Sequence, residues 1–176
     1  MMFWATLVAY ELVWAAAVLG AGHALAWPGM AAAALFALWR LAVSRSRRID
    51  LRLAAVAVLF GLALEGTWVM AGLIVYSAPW PFANAPGWLI GLWVAFAFTV
   101  VPLLGYLHGR PALAAFLGAL GGPLAYYGAA REHALRLPAP LWRDLLALSL
   151  GWAIAMPTLT SLAGRWLRER AAGEPR

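Results

Sequence analysis

Two glutamates stand alone inside long apolar stretches, Glu11 within residues 2–21 and Glu65 within residues 53–76. A carboxylate at mid-membrane costs roughly 2.5 kcal/mol or more if ionised and unpartnered, so such a residue is expected to face a bundle interior and to have a task there. Each glutamate has a tryptophan three residues on, Trp14 and Trp68, and positions i and i+3 share one face of a helix. The two stretches run the same way through a bilayer, which brings both pairs to a similar depth. If they are neighbours, two carboxyls and two indoles line one cavity, and one carboxyl holds a proton because two close ones cannot both ionise cheaply. The chemistry this permits is a proton relay, a cation site or acid–base catalysis, with Glu65 as the candidate catalytic group. The competing reading is a protonated glutamate hydrogen-bonded to the next helix.

Other residues could complete such a site. A helix running through to Tyr76 places Gly61, Trp68, Gly72 and Tyr76 on the face of Glu65, and the glycines open space beside the carboxyl. The run from Gly118 to Gly128 reads GALGGPLAYYG. Pro123 removes a helical hydrogen bond there, and Gly121 and Gly122 loosen the same turn. A kinked helix with exposed carbonyls is tolerated at membrane depth only against protein or a wet cavity. Tyr126 and Tyr127 offer hydroxyls nearby. Pro102 and Pro157 add kinks in two further stretches. Trp14, Trp68, Trp93 and Trp152 fall inside apolar stretches, where each indole N–H wants an acceptor. The expected cavity is therefore built from Glu11, Trp14, Glu65, Trp68, Gly72, Trp93, Pro123, Tyr126 and Tyr127.

Several chemistries lack their residues. Without cysteine there is no disulfide, thiolate metal site or thiol nucleophile. His23, His108 and His133 are scattered in expected loops, and no pair has the spacing of a helical metal site. No phosphate-binding glycine loop and no serine elbow occurs. The expectation is no metal and no cofactor. Enzymatic activity stays open, leaning against, for want of a nucleophile.

The elements that must position these residues are membrane helices. The chain of 176 residues is 65% hydrophobic and only 11% charged, against about 45–50% and about 25% in a soluble domain. Six stretches are long enough to cross a hydrocarbon core of about 30 Å: residues 2–21, 24–43, 53–76, 88–107, 112–130 and 145–164. The expected fold is all-α, a polytopic bundle of six partly Pro-kinked helices. A five-span bundle is the competitor, since the second stretch carries Pro28 and ends at Arg40. Residues 1–166 form one transmembrane domain and 167–176 a short polar tail.

The net charge of +6 comes entirely from arginine. The arginines flank the apolar runs, which marks topology rather than nucleic-acid binding. With six spans and both ends inside, Arg40, Arg45, Arg47, Arg48, Arg52, Arg110, Arg165, Arg168, Arg170 and Arg176 are cytoplasmic, and only Arg131, Arg136 and Arg143 lie outside. This predicts a bacterial inner-membrane protein with both termini cytoplasmic. Ala24-Leu25-Ala26 resembles a signal cleavage site, but the first residues lack a positive region, so no cleavage is expected. The basic run from Ser44 to Arg52 is first a topology signal, with anionic lipid head groups as a secondary ligand.

From Glu65 to Gly128 the chain resembles a family of small bacterial inner-membrane proteins known as domain of unknown function 2878. The residues that carry the resemblance are Glu65 and Gly72, then Gly87-Trp88 with Leu92-Trp93 and Phe96, then the run from Gly118 to Gly128. The first span, with Trp14 and Val18-Leu19-Gly20, is also similar. The family pattern has an aspartate where this chain has Glu65 and a glutamine where it has Glu11. The acid kept at Glu65 favours a role there, and the neutral residue at Glu11 weakens a two-carboxylate device. The resemblance implies no established activity; it points toward membrane-lipid chemistry.

Three functions compete. The first handles or presents a lipid or small solute through a cavity at Glu65. The second is a membrane-embedded enzyme of lipid modification, with Tyr126 or Tyr127 assisting Glu65. The third is a non-catalytic partner subunit, or a homo-oligomer, in a membrane complex.

Overall fold

The computed structural model describes residues 2–138 and 140–173. Among them, six α-helices account for nearly all the regular structure: α1 (Met2–Gly22), α2 (Trp27–Val43), α3 (Arg47–Met70), α4 (Gly87–Leu103), α5 (Pro111–Arg131) and α6 (Leu141–Gly173). Four of them, α1, α3, α5 and α6, are long and apolar enough to cross a membrane. The other two, α2 and α4, are apolar but 17 residues each, or about 25 Å at 1.5 Å per residue. Pro28 and Pro111 occupy first turns, where a missing N–H costs nothing.

Residues 53–76 are not one helix. Gly72 takes φ +68°, its N–H bonds to the Val69 carbonyl at 3.0 Å, and the Leu73 N–H bonds to the Trp68 carbonyl at 2.8 Å. This pair of bonds closes a helix on a left-handed glycine. The chain then doubles back, so Gly72 and Tyr76 do not continue the helical face of Glu65. Instead Val75–Tyr76 forms β1, which pairs antiparallel with β2 (Leu135–Arg136), Tyr76 opposite Leu135. Gly105–Leu107 likewise leaves α4 as a short 3-10 turn. The second stretch becomes helical only at Trp27, with Ala24 at φ 62°. Residues 167–173 continue α6 as helix; Arg176 lies outside the described residues.

The connections gather at the two ends of the bundle. At one end, β1–β2 ties the α3–α4 connection to the α5–α6 connection, Ser77 Oγ donates to the His133 carbonyl at 2.6 Å, and Gly22 abuts the Glu132 carbonyl. At the other, Arg40 near the end of α2 reaches Thr6 of α1, Arg170 of α6 donates to the Arg45 carbonyl, and His108 packs on Gly164. The helices therefore alternate in direction. The central helix is α4, packed against α1, α2, α3 and α6, while α5 packs chiefly on α6.

Glycine notches set this packing. A Cβ at Gly122 would lie 2.2 Å from the Trp152 ring and one at Gly118 2.3 Å from the Trp152 carbonyl. A Cβ at Gly61 would lie 2.8 Å from Trp93, and one at Gly151 2.4 Å from Trp68. Three core tryptophans thus each fill a gap that only glycine leaves, the small-residue logic of helices packing without a hydrophobic driving force.

Candidate functional site

Glu65 is fully buried on α3, and three donors converge on its carboxyl. Trp93 of α4 donates its indole N–H to Oε1 at 2.9 Å. Tyr126 of α5 donates its hydroxyl to the same oxygen, and Tyr76 of β1 donates to Oε2. The elements arrive for separate reasons. The glycine stop at Gly72 returns Tyr76 to Glu65, eleven residues back along the chain. The Gly61 notch admits Trp93, and the Gly118 and Gly122 notches bring α5 against α6, which fixes the height of Tyr126. A carboxylate meeting three donors keeps its charge solvated without water. A proton there can instead be shared with either phenol, since a hydroxyl donates and accepts.

Aromatic rings frame this cluster. Trp68 meets Tyr126 edge-on at 5.7 Å. Trp93 stacks on Trp152 with centroids 4.6 Å apart and planes 7° from parallel. Trp152 Nε1 is buried and closes no hydrogen bond; it lies beside the Tyr126 hydroxyl but outside bonding geometry. This is a polar atom whose ordinary partner is missing.

On the far side of Trp93 and Tyr126 lies a cavity of about 450 Å³. Its back is formed by α4 and α6 through Trp93, Phe96 and Trp152. Its sides come from α1, with Tyr10, Glu11 and Trp14, and from α5, with Gly121, Leu124 and Tyr126. Glu11, Gly121 and Leu124 are exposed, so the mouth lies between α1 and α5. The volume is within the usual range of small-molecule sites, about 300–1,000 Å³. The lining is aromatic and aliphatic, with Tyr10, Glu11 and Tyr126 among its polar residues.

Glu11, Trp14, Trp93 and Tyr126 therefore line the cavity, and Glu65 sits directly behind Trp93 and Tyr126. Trp68 supports Tyr126 without lining the space. Glu11 does not join the carboxyl cluster: it is exposed at the mouth, on a helix packed mainly on α2 and α4. Gly72 ends α3 away from the cavity, and Tyr127, 41% exposed, faces outward. Pro123 is buried inside α5 and does not line the cavity. Sequence reasoning missed Tyr76 as a ligand of the carboxyl because it was read as helical. The Met70-Ala71-Gly72 stop was the available signal. It also missed a further buried acid, Asp50, and Asp144 is buried as well. Asp50 accepts from Ser44, and Asp144 pairs with the adjacent Arg143 at 3.2 Å.

Apolar helices of membrane-crossing length, packed through glycine notches around a buried carboxyl, define a helical membrane protein. Among the described residues, no group of three or more histidine, aspartate or glutamate side chains could hold a metal ion. A family model described as "Protein of unknown function (DUF2878)" matches residues 3–158, and the chain belongs to that family. No curated protein and no solved structure matches it.

Proposed function

We propose that this chain is a six-crossing inner-membrane protein, both ends cytoplasmic, that takes a lipid or small lipophilic solute into the cavity in front of Glu65. The observation that carries the reading is the mouth between α1 and α5. A cavity that opens sideways between two apolar helices is reached from the bilayer, not from water. Its aromatic walls suit an apolar body, while Tyr10, Glu11 and Tyr126, which also line it, supply polar side chains for an ester, carbonyl or alcohol group. The alternating helix directions support six crossings. The two short helices span by local thinning of the bilayer, at a modest cost per ångström. The arginine asymmetry supports the orientation.

A membrane-embedded enzyme is the second reading, favoured by one observation. Tyr126 touches both the cavity and Glu65, so it could pass a proton between a bound molecule and the buried carboxyl.

The test is native mass spectrometry of the protein released from mild detergent with bound lipid retained. Gly121 lines the cavity and a Cβ there meets nothing within 4 Å, so Gly121→Phe has room to extend a ring into the mouth. The wild type should carry a lipid or lipophilic adduct that Gly121→Phe loses at unchanged thermal stability. Equal adducts on both proteins, or none on the wild type, would remove the cavity as a ligand site.

A further inference from the structure

A second concavity lies at the end of the bundle where α1 begins and α6 finishes, remote from Glu65. It has a volume of about 740 Å³ and is built from the α2–α3 connection and the last turns of α6. Arg45, Arg47, Arg48, Arg52 and Arg170 all line it, together with Trp166. Marking topology requires arginines near helix ends, not convergence of two distant segments on one hollow. That convergence needs the length of α6. Its 33 residues reach about 50 Å, well beyond a hydrocarbon core of about 30 Å.

The side chains are arranged for an anion. Arg52 lies over the Trp166 ring at 5.8 Å, and Arg47 is anchored to the Ala42 carbonyl at 3.0 Å. Glu169, the one acid in the lining, is engaged by Arg165 at 2.7 Å. Arg45 and Arg48 have no hydrogen bond or ion pair from their guanidiniums among the described residues, although both face this hollow. Guanidinium forks match phosphoryl oxygens two at a time.

We infer that this pocket binds an anionic phosphoryl group, and that its source is the head group of a phospholipid in the adjoining leaflet. The position favours that source. The hollow sits where α6 leaves the bilayer, and Trp166 is an interfacial residue type at that level. The inference does not rest on the cavity at Glu65, and either can fail alone.

The experiment uses the full chain in mild detergent, with phosphatidylglycerol or phosphatidylcholine added and retention read by native mass spectrometry. Near an anionic surface each arginine is worth about 1 kcal/mol, so R45Q with R48Q should weaken phosphatidylglycerol retention about 30-fold, at about 1.4 kcal/mol per tenfold. A control pair, R131Q with R136Q, removes the same charge from the opposite end and should retain phosphatidylglycerol like the wild type. Phosphatidylcholine, whose choline cancels its phosphate charge, should bind far more weakly. Undiminished retention by R45Q/R48Q overturns the site, and so does an equal loss in the control pair, which would make the attraction one of net charge. In a second arm, millimolar inorganic phosphate is added without lipid. Stabilisation of the wild type but not of R45Q/R48Q, with no phosphatidylglycerol retained, would keep the phosphoryl site and reassign it to free phosphate.

Discussion

Replacing Glu65 tests whether the buried carboxyl is a hub or an accident. In Glu65→Gln the amide oxygen can take the place of Oε1, accepting from Trp93 and Tyr126. The amide NH2 then replaces Oε2, and the Tyr76 hydroxyl turns to accept from it instead of donating. No polar group is orphaned. Charge-assisted bonds worth about 1.5–3 kcal/mol become neutral ones worth about 0.5–1.5, and the lower desolvation cost of an amide offsets part of that. A net loss of about 1–2 kcal/mol corresponds to a fall in Tm of about 2–8 °C for a chain of this size. Glu65→Leu is different in kind. It leaves the Trp93 N–H and two phenols without partners in a site closed to water, at about 1–3 kcal/mol each. The sum, about 3–9 kcal/mol, rivals the whole stability of a typical domain, about 5–15 kcal/mol. Thermal unfolding in detergent, followed by size-exclusion chromatography of a fluorescent fusion, measures both. Glutamine should yield a folded protein with a modestly lower Tm, and leucine little or no folded material. A leucine variant as stable as the wild type would refute the view that these donors need the carboxyl. A ligand-retention assay on the glutamine variant then separates titration from packing: full retention would leave proton or cation handling out of binding.

Three further outcomes follow from the geometry. Gly122→Ala drives a methyl to 2.2 Å from the Trp152 ring and should cost about 1–3 kcal/mol, whereas Gly121→Ala, pointing into open space, should leave Tm unchanged; equal effects would contradict the notch. A phosphatase fused after Arg176 should be inactive and a fluorescent protein there bright; an active phosphatase would favour an odd number of crossings. His108, in the α4–α5 connection, has its pKa depressed from 6.5 chiefly by burial, helped by the Arg168 charge and opposed by a hydrogen bond to the Val100 backbone. The unfolded chain therefore takes up this proton first, so stability should fall as pH drops below about 6.5 and be flat above it. In His108→Gln that part of the slope should vanish, and an unchanged profile would assign the effect elsewhere.

The sequence by itself determined the class. An apolar composition with arginines at the ends of the runs leaves only a membrane bundle, because unsatisfied backbone cannot sit in lipid. It also singled out Glu65, Trp93 and Tyr126, since a lone acid and buried indoles or phenols each carry an unmet hydrogen-bonding demand. Which demand meets which was not legible. Donors on α4, β1 and α5 reach one carboxyl only through long-range packing, 28, 11 and 61 residues away in the chain. Glu11 looked equivalent to Glu65 because local spacing cannot tell a helix face turned to the core from one turned to the cavity mouth. Gly61 and Gly72 read as room beside a carboxyl, yet in the fold Gly61 is a socket for Trp93 of another helix and Gly72 ends its own. Only tertiary structure assigns such a socket its occupant, because a missing side chain has no chemistry of its own until a neighbour fills the gap.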